Sequence, residues 1–518
     1  MKWILTAAFM LLNFWSLSAA GQSSGELPSV SGQYRVSVSD GRGWREIVAY
    51  DVLCSDSPSH HGDIWNDWDN SKALRDTMSF ALAEHDFSKP LKVRVTASEN
   101  FSTAQVRPTV YGIKCRRVGK NTIEFVIPSY EKRKVSVEFD SYRYSNLFFI
   151  ADRPDEDKPT VDDPSVLYFG PGVHERDRIV LEDNQTLYID YGAVLFSKVE
   201  VNGSNCRIAG HGILSGSRQK HWGTIWASGE ILVECNKKRS PARTGTVLED
   251  ITIIDSPSWT VSVYNTSDVR IDNINIINWI LNGDGVDLVC VQDAIVKDCF
   301  IRCYDDCITL KVRHNARPMT DLSGVTVSGC LIWADFARGI VIGPESGNLS
   351  VSGGRIHDCI IEDCIFLEHA SIPDRDDIRG AFAIHHIYSP ENNMRCAPDM
   401  SGITARHLVF DNISATGRAI VIAQDEKAPE SNTMEDILIE DIEILDSGAE
   451  GISVLEINTY RNKMHNIVLD GVLRNGQPLL KAGRLSGENV DFISSEKDVH
   501  IRGNIDLTVR NGSSEVDK

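Results

Sequence analysis

The segment 31–151 alternates apolar and polar residues in short runs. Examples are YRVSVSD, LKVRVTA, NTIEFVIPS and RKVSVEFDS, which are separated by Gly, Pro, Asn and Asp. A period of two is the pattern of a strand that buries one face, and short strands at this spacing are typical of an antiparallel β-sandwich. We therefore predict a β-sandwich domain over residues 31–151.

From residue 166 to about residue 510 the pattern changes to phrases that align with one another. Examples are VRIDNINII, AIVKDCFIR, VTVSGCLIW, CIIEDCIFL, ILIEDIEIL and IVLDGVLRN, and no amphipathic helix lies between them. Repeats of this length predict a parallel β-helix, an all-β fold in which the inward side chains of successive coils stack in one core. The equivalent positions are Ile271, Val296, Val327 and Ile361, which lie 25, 31 and 34 residues apart, and Ile439 and Leu469, which lie 30 apart.

Two other segments flank these domains. Residues 1–20 have the pattern of a secretory signal peptide, because Lys2 precedes a short apolar run and the segment ends in Ser-Ala-Ala. That run is shorter than the roughly 20 residues that cross a membrane, so we predict an exported chain, periplasmic or secreted. Residues 152–165 are acidic and rich in proline, which is typical of a solvated linker.

The sequence contains 12 cysteines. An exported protein ordinarily uses cysteines in disulfides. However, Cys299, Cys330 and Cys364 occupy the same place in the aligned phrases KDCF, SGCL and EDCI. We therefore predict that most of the cysteines are free thiols stacked in the interior, where cysteine acts as a small hydrophobic residue. The spacing does not decide whether any pair is bonded.

The composition is that of an ordinary globular protein, with 42% hydrophobic and 24% charged residues. The formal net charge of -20 disfavours a nucleic acid or an anionic membrane as a partner, because their phosphates would be repelled. We expect no cofactor and no metal. The oligomeric state does not follow from the sequence.

A group of aspartates lies on two neighbouring coils. Asp284, in NGDGVD, precedes Asp305 and Asp306, in CYDDC, by 21 and 22 residues, which is close to one coil. Strands of successive coils lie about 4.8 Å apart, so three carboxylates gather at one place. Like charges in proximity raise at least one pKa, which provides the acid and the base that glycoside cleavage needs. The alternatives are that these aspartates only form bends, or that they bind calcium.

At these residues the chain resembles the polygalacturonase-like β-helix enzymes of glycoside hydrolase family 28 and the related dextranases of family 49. The Asn-Thr-Asp-Gly and Gly-Asp-Asp phrases of polygalacturonases correspond to NGDG at residues 282–285 and YDD at residues 304–306. The resemblance covers about residues 166–471, and the sandwich before the helix is similar to the dextranase arrangement.

The resemblance implies a right-handed parallel β-helix and inverting hydrolysis. It makes Asp305 the general acid, lets Asp284 and Asp306 hold the attacking water, and adds Asn282 as a substrate-binding residue. In inverting enzymes the two carboxyl groups lie roughly 6.5–9.5 Å apart, which leaves room for that water.

Two polygalacturonase phrases are absent. Gly-His-Gly is replaced by Ala-Arg-Gly at residues 337–339, and the Arg-Ile-Lys phrase that grips galacturonate corresponds to AIHH at residues 383–386. Arg338 offers bidentate binding of a sugar carboxylate, and Lys311 follows the aspartate pair by five residues. Either cation alternatively forms an ion pair with Asp305 or Asp306. His385 and His386 are further candidates for substrate binding, and on a strand only one of them faces the groove.

These residues favour an exported, metal-independent, inverting glycoside hydrolase that cleaves an α-linked polysaccharide or oligosaccharide, with a pectin-type glycan favoured. A dextranase-like α-glucanase is the alternative within hydrolases. A β-helix polysaccharide lyase and a glycan-binding protein without turnover are alternatives from other classes. The sugar, the linkage, and exo or endo action do not follow from the sequence.

Overall fold

The computed structural model describes residues 28, 30–54, 76–141, 145–219, 230–236, 241–280, 282–312, 321–346, 354–369, 380–386, 398–411, 418–424, 432–445, 454–459, 463–494 and 499–512. The predicted signal peptide, residues 1–20, lies outside the described residues. Within the described ranges, no helix has the length and hydrophobicity that crossing a membrane requires.

Within the residues that the structure describes, ten strands form the N-terminal β-sandwich. They are β1 (Tyr34–Ser39), β2 (Arg45–Ile47), β3 (Ala49–Cys54), β4 (Asp76–Glu84), β5 (Leu91–Ala97), β6 (Ala104–Arg107), β7 (Arg116–Arg117), β8 (Thr122–Ile127), β9 (Lys134–Phe139) and β10 (Leu147–Asp152), with 3₁₀ turns at Thr109–Tyr111 and Tyr130–Lys132. One sheet has the order β2-β1-β5-β8-β7 and the other β3-β4-β10-β9-β6. The alternating residues of β1 and β5 bury Val36, Val38, Val93 and Val95 between the sheets, which confirms the predicted sandwich. In the second sheet β10 lies between β9 and β4. It pairs antiparallel to β9 but parallel to β4.

In the described part of the chain after residue 165, 30 strands form one continuous sheet. They are β11 (Val166–Phe169), β12 (Gly172–Leu181), β13 (Thr186–Ile189), β14 (Ala193–Val201), β15 (Arg207–Ala209), β16 (Ile213–Ser215), β17 (Val233–Cys235), β18 (Arg243–Glu249), β19 (Thr252–Ile254), β20 (Val261–Tyr264), β21 (Thr266–Asp272), β22 (Asn275–Ile277), β23 (Val286–Val289), β24 (Gln292–Lys297), β25 (Phe300–Cys303), β26 (Ile308–Lys311), β27 (Leu322–Ser328), β28 (Leu331–Ala334), β29 (Ile340–Ile342), β30 (Arg355–Glu362), β31 (Ile365–His369), β32 (Gly380–His386), β33 (Asp399–Asp411), β34 (Arg418–Gln424), β35 (Met434–Leu445), β36 (Leu455–Asn458), β37 (Met464–Arg474), β38 (Gln477–Pro478), β39 (Gly483–Ile493) and β40 (Val499–Arg510).

In the middle of this sheet each strand pairs in parallel with the strand three places further along the chain, so three strands make one coil. The equivalent positions inferred from the sequence are direct partners: Ile271 pairs with Val296, Val296 with Val327, and Val327 with Ile361. Their side chains lie in the central core. In the later coils one long strand replaces two, as in β33, β35 and β37, and β39 closes the end by pairing antiparallel to β40. The parallel β-helix is therefore confirmed.

One bend recurs at the same register in eight successive coils and explains the aligned phrases. Asn, Asp and Gly adopt the left-handed conformation at lower cost than other residues. The next residue turns inward, which buries the stacked Cys299, Cys330 and Cys364 as predicted, and all ten cysteines whose pairing the structure describes are free. The bend residues are Asp250, Asn273, Asp298, Gly329, Asp363, His407, Asp441 and Gly471, with φ between 50° and 64°.

The second sheet of the sandwich packs against the outside of the β-helix. Phe148 of β10 contacts Phe300 and Trp333, with ring centroids 5.0 and 6.1 Å apart. Nearby, the buried Arg107 donates hydrogen bonds to the backbone carbonyls of Leu367 and Asp411. The contact combines aromatic packing with hydrogen bonds between the two parts, so it fixes the sandwich on the β-helix.

The last sandwich strand ends at Asp152 and the first β-helix strand begins at Val166, and we propose residues 152–165 as the linker between two domains. Two of its side chains bind the first coils. Lys158 Nζ lies 2.5 Å from Asp190 Oδ1, and the Tyr188 hydroxyl donates to Asp155 at 2.5 Å. The proposed linker is therefore attached to the β-helix surface.

Candidate active site

The bends that precede β23, β26 and β29 stack on one another. Val286 pairs with Ile308, and Ile308 pairs with Ile340. Two residues earlier in each bend stand Asp284, Asp306 and Arg338. Backbone hydrogen bonds continue the ladder through the bends, from Gly285 N to Asp306 O at 2.8 Å and from Cys307 N to Arg338 O at 2.9 Å. The register therefore brings the two aspartates and the arginine into one row.

The glycines of NGDG permit this close stacking. A Cβ atom on Gly285 would lie 2.3 Å from the carbonyl oxygen of Cys307, and one on Gly283 would lie 2.6 Å from that of Ile280. Asn282 adopts a left-handed φ of 58°, and its side-chain amide donates to Ser258 Oγ of the preceding coil at 3.2 Å. In this structure Asn282 shapes the bend, and its predicted role in substrate binding stays a prediction.

Asp306 is held by Arg338. The Arg338 backbone N–H donates to Asp306 Oδ1 at 3.0 Å, and the guanidinium Nη1 donates to Oδ1 and Oδ2 at 3.2 and 3.0 Å. Asp306 is only 4% exposed and Arg338 7%. Of the two roles that the sequence left open for Arg338, an ion pair with the aspartate pair and recognition of a sugar carboxylate, the structure contains the ion pair.

Lys311 is the centre of a second charged group. Its Nζ lies 2.7 Å from Asp287 Oδ1, 3.4 Å from Glu345 Oε2 and 4.0 Å from Asp284 Oδ2. It also lies 4.1 Å from the centre of the Trp259 ring, a cation–π contact. The lysine side chain is 1% exposed, and those of Asp287 and Asp284 are 0% and 6%, so these three charges interact in a medium of low dielectric constant.

Burial and like charge raise the pKa values of two of these acids. For Asp284, burial is the largest cause, followed by the negative charges of Asp287, Asp305 and Asp306, so that its pKa is well above the ordinary value although Lys311 opposes the rise. For Asp287 burial raises the pKa, and Lys311 and the Thr309 hydroxyl, which donates at 2.6 Å, limit the rise. The cluster therefore retains protons above the ordinary range of aspartate.

Asp305 is the most accessible of the three predicted catalytic acids. It is partly exposed, whereas Asp284 and Asp306 are each 4% exposed. Its Oδ1 accepts a hydrogen bond from the Asp306 backbone N–H at 3.1 Å. The preceding residue, Tyr304, stacks on Phe336 with ring centroids 4.9 Å apart. The bend is thus anchored on its sandwich side while it presents Asp305 to the surface.

The structure brings five of the predicted residues together: Asp284, Asp305, Asp306, Lys311 and Arg338. The predicted histidines lie further along the β-helix. Leu310, Ile342 and Ile384 are partners on three successive rungs. Lys311 follows the first and His385 follows the last, so their backbones lie two rungs, or about 10 Å, apart. Both histidines are buried. Burial lowers the pKa of His386 to about 4, so it is neutral at ordinary pH.

Sequence reasoning missed Asp287 as a member of the cluster. The available signal was a charged residue inside the apolar strand β23, one coil before the lysine of β26. Its side chain lies on the outer face, where its direct partner on the next coil is Thr309. Among the residues that the structure describes, no group of three or more His, Cys, Asp and Glu side chains has an arrangement that would hold a metal ion.

Chemically, the arrangement combines one accessible carboxyl, a buried carboxyl with a raised pKa, and a carboxylate paired with arginine. Such a set has a proton to donate and a base to accept one within a small region. A proton donor and a base are what acid–base hydrolysis requires, here of a substrate bond that reaches Asp305 from solvent.

Comparisons with known proteins agree with this architecture. A family described as "Right handed beta helix region" matches residues 231–378. A protein named probable exopolygalacturonase B from Aspergillus fumigatus is 31% identical over 122 residues, 21% of this chain and 27% of that protein. Its namesake from Emericella nidulans is 26% identical over 302 residues, 52% of this chain and 60% of that protein. The chain thus matches between about a quarter and three fifths of these relatives.

One solved structure is similar over most of the chain. Dex49A from Penicillium minioluteum is 16% identical, covers 94% of this chain and 96% of its own, and superposes with a TM-score of 0.66. Taken with the family match, this defines the class of fold: the protein is a right-handed parallel β-helix preceded by a β-sandwich. The resemblance inferred from the NGDG and YDD phrases is confirmed at this level.

Proposed function

We propose that this protein is an exported, inverting glycoside hydrolase that cleaves an α-linked polysaccharide or oligosaccharide, with a pectin-type glycan as the first substrate to test. The observation that carries the proposal is the partly exposed Asp305 beside the buried Asp284 and Asp306 on stacked bends. The names of the two exopolygalacturonase relatives support the pectin-type substrate.

In the proposed mechanism Asp305 donates its proton to the glycosidic oxygen as the leaving sugar departs. A water on the opposite side of the sugar ring attacks the anomeric carbon, and Asp306 accepts its proton. Arg338 balances the charge of Asp306 and orients both of its oxygens. Asp284 orients the water, because its raised pKa suits a group that shares a proton rather than carries a full charge.

The test compares Asp305→Asn with the wild-type chain on oligogalacturonates, with reducing ends and product anomers as readouts. Loss of a general acid should lower kcat by about 10²- to 10⁴-fold without unfolding the chain. Asp268→Asn, an exposed left-handed position on β21, is the matched control and should retain activity. A wild-type rate in Asp305→Asn would contradict the assignment, and products that absorb in the ultraviolet would indicate a lyase.

A dextranase-like α-glucanase is the second candidate, favoured by the state of the two cations. Arg338 and Lys311, which the sequence offered for gripping a uronate, both face carboxylates of the protein itself. A neutral glucan needs no such cation. Comparing kcat/KM on oligogalacturonates and on dextran oligosaccharides separates the two candidates, and binding to either without any product would indicate a glycan-binding protein.

Export is part of the proposal and has its own test. If residues 1–20 are a signal peptide, protein recovered from the periplasm or the medium should begin near Gly21. N-terminal sequencing of the secreted chain checks this, and an intact N-terminus in exported protein would contradict it.

A further inference from the structure

The bend that carries Asp305 and Asp306 is flanked by two cysteines whose sulfur atoms nearly touch. Cys303 ends β25 and Cys307 precedes β26, and both side chains point into the central core. Their Sγ atoms lie 3.2 Å apart. A disulfide bond is about 2.05 Å long, so an approach of about 1 Å would join them. From this geometry we infer that Cys303 and Cys307 form a disulfide when the chain folds in the presence of a disulfide oxidant.

The other inward cysteines of the β-helix provide a contrast. Cys299, Cys330 and Cys364 each donate to the carbonyl oxygen two residues earlier, at 3.1, 3.4 and 3.2 Å. They occupy successive rungs of the ladder, where strand pairing keeps their backbones about 4.8 Å apart, and their thiols interact along the stack. Cys303 and Cys307 instead lie on the same bend, so the turn itself brings their sulfur atoms together.

The bond must form before the site is closed. Both side chains are 0% exposed in the folded chain, so an oxidant does not reach them there. Burial also raises the pKa of the Cys303 thiol well above its ordinary value, which removes the reactive thiolate. The pair therefore oxidises during folding, and in the folded protein it is inert.

The chemistry balances with a small-molecule disulfide such as oxidised glutathione. The thiolate of one cysteine attacks a sulfur of the oxidant, which releases one thiolate and leaves a mixed disulfide. The second cysteine then attacks the protein sulfur of that mixed disulfide and releases the other thiolate. The two cysteines lose two electrons and two protons, and the oxidant becomes two thiols.

The disulfide would link the two ends of the bend that carries Asp305 and Asp306. The two sulfur atoms lie on the core side, whereas Asp305 and Asp306 lie on the outer side, so the disulfide leaves the carboxylates unobstructed. It constrains the bend at the end opposite the carboxylates. The consequence for activity rests on the proposed hydrolase function, whereas formation of the bond does not.

The test folds the full chain in a glutathione redox buffer, unfolds it with an alkylating reagent already present, and digests it with trypsin. Cleavage after Arg302 and Lys311 yields CYDDCITLK, which contains both cysteines and no other. The expected peptide carries no alkyl group and gains two after reduction. The internal control is DCFIR, residues 298–302, whose Cys299 should be alkylated without reduction. Two alkyl groups on CYDDCITLK without prior reduction would overturn the inference.

A second measurement tests whether the disulfide stabilises the protein against heat. Protein folded under reducing conditions should lose glycan-cleaving activity on heating up to about 30-fold faster than oxidised protein, the factor expected for closing a five-residue loop. Cys307→Ala should inactivate at the same rate under both conditions. Equal inactivation rates for the oxidised and reduced wild-type chain would show that the disulfide does not stabilise the protein. If no glycan is cleaved at all, the proposed function fails while the peptide mass still decides the bond.

Discussion

Replacing Lys311 by methionine tests whether this buried cation holds the acid cluster together. Its Nζ lies 2.7 Å from Asp287 and 4.0 Å from Asp284, inside the protein. Methionine keeps most of the apolar stem but removes the charge, so the buried carboxylates lose their counter-ion. Removing one partner of a buried ion pair costs about 3–5 kcal/mol. We expect the free energy of unfolding to fall by that amount near neutral pH.

The loss should depend on pH in a defined direction. Burial already raises the pKa values of Asp284 and Asp287, and Lys311 opposes the rise in both, so the variant raises them further. An acid whose pKa is higher in the folded state binds its proton more tightly when folded, so stability falls as pH rises from the unfolded value, near 4, through the raised folded value. The deficit of Lys311→Met should therefore be larger at pH 8 than at pH 5.

The assay is denaturant unfolding of wild type and variant at both pH values. Lys297→Met is the matched control, because Lys297 pairs with Asp272 at 3.2 Å on the surface with 42% of its side chain exposed. An exposed pair contributes less than about 1 kcal/mol. If Lys311→Met loses no more stability than the control, or if its loss is the same at both pH values, the electrostatic account of the cluster is wrong. Adding Asp287→Asn to Lys311→Met should recover part of the loss.

Two further predictions concern the stacking of the bends and the sandwich contact. Gly285→Ala should lower stability by about 1–3 kcal/mol and reduce activity, because the new Cβ would meet the backbone oxygen of Cys307. Gly483 has open space around it, so Gly483→Ala should change neither stability nor activity. Thermal unfolding and rate assays of both variants check this. Burial lowers the pKa of His211, but its hydrogen bond to Glu84 and two nearby aspartates outweigh burial and raise it. A raised histidine pKa stabilises the fold below the unfolded value near 6.5 and loses that effect as pH rises through the folded value. Thermal unfolding of the wild type should therefore shift further down between pH 6 and pH 8 than that of His211→Gln, and equal shifts would contradict this.

Much of the fold followed from local pattern. Alternation over residues 31–151 reflects strands buried on one face, and the spacing of Ile271, Val296 and Val327 reflects coils that place equivalent residues on one ladder. The recurring Asp, Asn and Gly mark the bend that requires a left-handed residue. These features are set by backbone geometry within a coil or between adjacent coils, so a single sequence contains them.

The partners of the charged side chains followed only in part from the sequence. The sequence indicated that Asp284 meets Asp305 and Asp306, because one coil separates them. It left open whether Arg338 pairs with Asp306 or binds substrate. It did not indicate that Lys311 reaches back to Asp287, or that the sulfur atoms inside the bend are 3.2 Å apart. Those contacts depend on coil length, on side-chain direction and on what covers the outer face.

The amino-acid sequence by itself thus determined the strand content of the sandwich and of the β-helix, and the row of acids, because periodicity and coil length act over a few tens of residues. Only the tertiary structure decided which acid is accessible, which are paired with cations, and that the sandwich supports the bend through Tyr304 and Phe336. Burial and charge pairing sum over groups far apart in the chain, and those sums set the protonation of each carboxyl.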